Sequence, residues 1–316
     1  MGLVKSPARI GNVNFLLITS LSFLFVGIFV LNSSVYAPNN VKSVSRSAET
    51  LGISVQELAP TEQSPKYVGD GTGLDIFSRA ALAVDIDSGT VLYEKNSRVP
   101  VMPASTAKVV TALVALDSYG LDQSVIIPKV SVEGTKMGLT EGEIISMEDL
   151  LYGLLVASAN DAAEVLASFY PGGRNLFIAQ MNSKAQSLGL SNSIFVNPTG
   201  LDEEGQTTTA QDLVKASFYA MQNPEFEKIV GTKKYNILGS NGEITHRLNN
   251  INQLLGVIDG VKGVKTGKTE GAMENLITYV ERDNSKVMIA LLGSTDRFGD
   301  TVKTIDWIYQ NFSWSN

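Results

Sequence analysis

Ser105-Thr106-Ala107-Lys108 sets a hydroxyl and an amine three residues apart. On a helix two such side chains share a face, so the amine reaches the hydroxyl. A serine in the first helical turn also sits beside free backbone N–H groups and the positive helix end. The chemistry on offer is attack by the serine oxygen with lysine as base. That lysine must then be neutral near pH 7, which requires about 4–5 kcal/mol against its charged form. Burial or a second cation nearby supplies such a shift. Alone, S-x-x-K is weak, since average composition produces about one match in a chain of this length. Its ordinary meaning is a helix-start serine followed by an exposed lysine.

Two further groups could join that pair. Ser158-Ala159-Asn160 places a hydroxyl and an amide two residues apart where an apolar helix ends and another begins. They could line a cleft, one passing a proton and the other holding a carbonyl; otherwise they are an N-cap pair. Lys265-Thr266-Gly267 closes a strand-like run. Lys265 would offer a cation to a carboxylate and disfavour charge on Lys108, Thr266 a hydrogen bond, and Gly267 room for close backbone approach. The three groups occur in the order S-x-x-K, S-x-N, K-T-G.

Other chemistries are restricted by composition. The 316 residues contain no cysteine and one histidine, His246. Thiolate zinc sites, disulfides and cysteine nucleophiles are therefore excluded. A Ser–His–Asp mechanism would rest on His246 alone, which reads as a strand or surface residue. A net charge of −7 without a basic stripe argues against a nucleic-acid partner. No metal or cofactor is expected.

The elements needed to position these groups are legible as a pattern. Ala80 to Ile86 and Thr90 to Tyr93 read as strands joined by the turn Asp87-Ser88-Gly89. Pro103 opens a helix over residues 104–119 that Gly120 stops. Ser146 caps a helix carrying Leu150, Leu151, Leu154 and Leu155, with Asp149 three residues on. Helices follow over 160–169, 174–188 and 210–221, the last capped by Thr208. Strands are expected over 263–266, 275–280 and 286–292, and a closing amphipathic helix over 300–312. Strands at both ends with helices between predict an α+β fold, an antiparallel sheet with a helical cluster packed on it.

Ahead of this domain, Lys5 and Arg9 precede an apolar run from Phe15 to Leu31. As a helix it rises about 25 Å, slightly short of the roughly 30 Å hydrocarbon core. Residues 1–37 thus read as a signal anchor or a signal peptide. Val35-Tyr36-Ala37 would suit cleavage, but Pro38 would hinder it, so an anchor with the remainder outside the cytoplasm is preferred. Residues 38–75, rich in Ser, Asn, Pro and Glu, read as a flexible linker. Residues 76–316 read as the folded domain.

The ordered trio resembles that of penicillin-binding proteins and class A β-lactamases. From Ala80 to Trp307 the chain is similar to the low-molecular-mass penicillin-binding proteins, the D-alanyl-D-alanine carboxypeptidase family. Beyond the trio, Asp85-Ile86-Asp87-Ser88-Gly89-Thr90, Asn197-Pro198-Thr199-Gly200-Leu201 and Asn250-Ile251-Asn252-Gln253 carry the likeness. The resemblance implies a Ser105 nucleophile, Lys108 as base and Ser158 as proton relay. Asn160 would orient the substrate, while Lys265, Thr266 and Arg297 would receive its terminal carboxylate. Gly267 would allow close approach, and the N–H groups of Ser105 and Lys268 would hold the oxyanion. The implied partners are peptidoglycan stem peptides, with β-lactam antibiotics as inhibitors.

Several residues depart from that pattern. Lys268 stands where the family usually has an aromatic residue or histidine, and Met273 where it has glycine. Thr199 replaces a histidine common among carboxypeptidases and resembles the endopeptidase branch, which cuts D-alanyl cross-links. Trimming and cross-link cleavage both stay open, as does a non-catalytic wall-binding relative. A β-lactamase is disfavoured by the lack of an E-x-x-L-N motif.

Overall fold

The computed structural model describes residues 64–239, 243–283 and 285–314, which all fall within one unit spanning Ser43–Asn316. The apolar run over 15–31 lies outside the described residues. Among those described, no helix is long and apolar enough to cross a membrane.

The described residues form eleven strands and seven α-helices. The first part holds β1 (Lys66–Tyr67), β2 (Ala80–Asp85), β3 (Val91–Lys95), α1 (Lys108–Ser118), β4 (Ser124–Ile126) and β5 (Ile144–Ser146). Helices α2 (Met147–Leu155), α3 (Asn160–Phe169), α4 (Arg174–Ser187), α5 (Ala210–Met221) and α6 (Pro224–Val230) follow. The hairpin β6 (Lys234–Leu238) and β7 (Ile244–Asn249) leads to β8 (Val261–Thr269), β9 (Met273–Arg282) and β10 (Ser285–Ser294). Helix α7 (Arg297–Asn311) and β11 (Phe312–Ser313) close the chain.

The central sheet has the order β3-β2-β10-β9-β8 with every pair antiparallel, so the α+β reading holds. Its side chains alternate between two cores, as the two-residue strand period requires. Ala80, Leu82, Val84, Met288, Ala290 and Leu292 face the helical cluster. Ala81, Ala83, Val287, Ile289 and Leu291 face α7 through Ile305 and Ile308. Because both faces are covered, β2 and β10 read as nearly unbroken apolar runs. Helix α1 is buried from Lys108 through Ala115, which makes it the centre of the cluster.

Local departures from the sequence expectations have identifiable causes. The folded part begins upstream of Ile76: β1 pairs with β11, and Trp307 Nε1 donates to Thr72 O. Residues 104–107 form a 3-10 turn before α1 starts at Lys108, with Thr106 N–H and Oγ1 both donating to Pro103 O. Ser146 caps α2 as expected, accepting from Asp149 N–H. The cap of α5, however, is Thr209, because the Thr208 backbone is bridged to Val101 in both directions. Helix α7 starts at Arg297, earlier than expected, with the Asp296 side chain accepting from Gly299 N–H.

Candidate active site

The functional groups meet where the edge strand β8 runs past the 3-10 turn carrying Ser105. Ala104 adopts φ +48°, a left-handed conformation that non-glycine residues seldom take, which sharpens the entry to that turn. Two glycines allow other segments to close on it. A Cβ at Gly267 would lie 2.9 Å from both Ala104 Cβ and Ser105 N. A Cβ at Gly200, φ +83°, would overlap Ala104 O. From behind, the fully buried Asn275 of β9 donates through Nδ2 to Met102 O (3.0 Å) and Pro103 O (2.9 Å), and its Oδ1 accepts from Gly293 N–H.

Lys108 opens α1 with its side chain wholly buried. Its Nζ lies 2.9 Å from Ser105 Oγ, 2.7 Å from Asn160 Oδ1 and 2.6 Å from Thr199 O. Asn160 Nδ2 donates to Glu133 O at 2.7 Å, which directs Oδ1 toward the lysine. Both Asn160 Oδ1 and Thr199 O can only accept. A neutral amine has two N–H bonds for them and one lone pair left, aimed at the serine hydroxyl. Burial first, and the Lys265 cation second, hold the Lys108 ammonium well below the ordinary lysine range.

Lys265, on β8, is buried as well. Its Nζ donates to Ser158 Oγ at 2.8 Å and to Thr266 O at 3.0 Å. Burial, then the nearby Arg297 guanidinium, push it down to about 7. Ser158 sits between α2 and α3 at φ +58°, a left-handed position that turns its hydroxyl to the lysine. It makes no direct hydrogen bond to Ser105 or Lys108 among the described residues. Arg297, the first residue of α7, donates from Nη1 to Gly267 O at 2.9 Å. Its Nε is buried without a hydrogen-bond partner. The Lys265 amine and the Arg297 guanidinium thus lie together on one strand, which makes this corner a natural seat for an anion.

The residues singled out by sequence therefore come together: Ser105, Lys108 and Asn160 by direct contact, Lys265 with Ser158, Thr266 through its carbonyl, and Arg297 through Gly267. Lys268 points away into solvent and pairs with Glu274 at 2.8 Å. The register continues through Lys268↔Glu274 and Thr269↔Met273, so Met273 does not break the strand. It takes φ +58° at the turn, where glycine would be unstrained. Asp202 secures that turn by accepting from Thr269 Oγ1 (2.6 Å) and Gly271 N–H (2.7 Å). Asn275, Asp202 and the carbonyls of Glu133 and Thr199 were not identified as supports from sequence. A carbonyl carries no residue-type signal, and Asn275 reads simply as a strand residue.

Comparison with known proteins agrees with this arrangement. The peptidase S11 family, described as D-alanyl-D-alanine carboxypeptidase, matches residues 63–296. The D-alanyl-D-alanine carboxypeptidase DacF of Bacillus subtilis is 30% identical over 83% of this chain and 70% of its own length. A D-alanyl-D-alanine endopeptidase of Pseudomonas aeruginosa is 31% identical over 82% and 85%. The crystal structure of a D-alanyl-D-alanine carboxypeptidase from Mycobacterium tuberculosis superposes with TM-score 0.72 at 32% identity, covering 79% of this chain and 99% of that one. The Streptomyces K15 DD-transpeptidase also gives 0.72, at 31% identity over 75% and 99%. A family match over most of the folded part, carried on a serine–lysine pair in contact, places this chain in the D-alanyl-D-alanine carboxypeptidase family of serine peptidases.

Proposed function

We propose that the protein is a serine-type D-alanyl-D-alanine carboxypeptidase that trims peptidoglycan stem peptides through an acyl-enzyme on Ser105. The observation that carries this reading is the contact set of Lys108, whose buried amine has two fixed acceptors and a lone pair left for the serine. Ser105 Oγ attacks the carbonyl between the two D-alanines as its proton passes to Lys108 Nζ. The C–N bond then breaks, and the departing D-alanine amine takes up a proton through Lys108 and Ser158. Water hydrolyses the resulting ester and regenerates the serine. The N–H groups of Ser105 and Lys268 would hold the oxyanion, each donor typically worth about 3–4 kcal/mol. Lys265, Thr266 and Arg297 would receive the terminal carboxylate, and Asn160 would orient the chain.

Cleavage of cross-links is the second reading, suggested by Thr199. In the fold that side chain is turned inward, 1% exposed, with Oγ1 donating to Asn197 Oδ1. It acts on the site through its carbonyl, so the threonine itself offers no new contact to a larger substrate. Trimming is preferred for that reason. Residues 1–37 are proposed to anchor the enzyme in the membrane, with the peptidase on the outer side. A mature N-terminus at Pro38 would instead mean a cleaved signal peptide.

The test is incubation of the full-length protein with a fluorescent penicillin beside Ser105→Ala. Labelling of the wild type alone is expected, and equal labelling of both would overturn the nucleophile. Pentapeptide and cross-linked dimer are then assayed separately. Free D-alanine from the pentapeptide supports carboxypeptidase activity, while monomers released only from the dimer would favour the endopeptidase.

A further inference from the structure

The single histidine of the chain has no place in the chemistry above, yet it is built into the site from behind. His246 lies on β7, 8% exposed, with both ring nitrogens engaged. Nε2 is 2.6 Å from Glu143 Oε1, and Nδ1 is 3.1 Å from Met137 O. Both partners are acceptors, so only the doubly protonated ring donates to the two of them at once. Both belong to the long loop that joins β4 to β5.

That loop is also what holds Asn160. Its Glu133 O accepts from Asn160 Nδ2, and its Thr135 O accepts from Asn160 N–H, each at 2.7 Å. On the same stretch the N–H groups of Met137, Gly138 and Leu139 donate to the Asp161 carboxylate. Met137 is therefore gripped from two sides, its N–H by α3 and its carbonyl by His246 of β7. Glu143 is braced too, because its Oε2 accepts from Thr140 N–H. The loop needs such anchoring, because Gly134, Gly138 and Gly142, all at positive φ, give its backbone more conformational freedom to lose on ordering than other residues would. A side chain at Gly134 would strike Asn160 Nδ2, at 2.8 Å, so the approach is already tight.

We propose that His246 is a positioning residue for the peptidase site. It acts as a strut from the β6–β7 hairpin that presses the 133–143 loop onto Asn160 and so keeps the Asn160 amide oxygen on Lys108. The inference rests on Asn160 setting the Lys108 amine for attack. Without the strut the Met137 and Glu143 anchors open, Glu133 O withdraws from Nδ2, and the amide turns away from the base. Substrate binding through Lys265 and Arg297 is left intact, because those residues belong to β8 and α7.

The test uses the full-length protein as wild type, His246→Gln and Glu143→Gln. Two quantities are read: amide hydrogen exchange along residues 133–143 and at Asn160, and penicillin acylation resolved into a non-covalent Kd and an acylation rate constant. In His246→Gln, exchange at Met137, Gly138, Leu139 and Asn160 is expected to accelerate at least tenfold. The acylation constant is expected to fall at least fivefold with Kd within twofold of wild type. Glu143→Gln, which keeps the ring but loses the charged acceptor, is expected to move both quantities the same way and by less. It also carries the test if His246→Gln fails to fold. Unchanged exchange in the loop overturns the strut whether or not the wild type labels. Faster exchange with an acylation constant within twofold of wild type overturns its catalytic consequence. A wild type that labels no better than Ser105→Ala counts against the nucleophile assignment, and the exchange result still decides the strut.

Discussion

Lys108 Nζ and Asn160 Oδ1 lie 2.7 Å apart, and the far end of the same amide donates to Glu133 O. The amide is thereby fixed with its acceptor toward the lysine, and a neutral acceptor leaves the amine free to stay uncharged. An anion in that place would reverse the balance.

Asn160→Asp should therefore disable the base without removing it. A carboxylate at this distance favours the ammonium and raises the Lys108 titration. The neutral fraction, and acylation with it, should then fall about tenfold for each unit of that rise at a given pH. The pH profile of penicillin acylation checks this. Its rising limb should move to higher pH in the variant, and a limb that stays in place would count against Lys108 as base.

Lys265 leads to a prediction about binding. Burial and Arg297 depress its titration to about 7, so it is largely charged below that pH and largely neutral above it. A substrate carboxylate favours the cation, so above pH 7 binding must draw in a proton. Affinity for a carboxylate ligand should accordingly weaken as pH rises beyond about 7, approaching tenfold per pH unit. Calorimetry in buffers of different ionisation heat should register close to one proton taken up at pH 8. Lys265→Met should abolish that uptake.

Gly267→Ala tests the close approach of β8 to Ser105. The added methyl would sit 2.9 Å from Ala104 Cβ and from Ser105 N. Relief requires the strand or the 3-10 turn to shift, and overpacking of this kind costs about 1–3 kcal/mol. Thermal unfolding should show that loss. Acylation should fall by more than a general loss of stability explains, because the shift falls at the serine itself.

Asn275→Ala should strand the Met102 carbonyl and the N–H of Gly293, whereas Pro103 O keeps its bonds from Thr106. An unsatisfied buried polar group costs about 1–3 kcal/mol, so urea denaturation should show a loss of at least that size. Penicillin labelling should slow in the fraction that remains folded, since the turn carrying Ser105 has lost its support. Retention of full acylation with lowered stability would mean that the turn holds its shape without Asn275.

What the amino-acid order determined by itself was the local and the periodic. The nearly unbroken apolar runs of β2 and β10, the Ser146 cap and the apolar run of α1 each follow from short-range sterics and burial. The triplets at 105, 158 and 265 were legible because side-chain types at fixed spacing carry chemical meaning. Lys268 and Met273 looked equally disturbing in that reading, yet one is a solvent-facing partner of Glu274 and the other a turn residue. Only the tertiary structure decided which way each of them points.

It also decided the surroundings that disfavour charge on Lys108. S-x-x-K describes an exposed lysine as readily as a buried one. The Lys108 ammonium is disfavoured because α1 lies at the centre of the helical cluster and Lys265 is brought beside it by the edge of the sheet. The same holds for His246, which reads as an ordinary strand residue until the hairpin packs it against Met137 and Glu143. Backbone carbonyls such as Thr199 O and Glu133 O leave no mark in a sequence. They act only once long-range packing has turned them toward a donor.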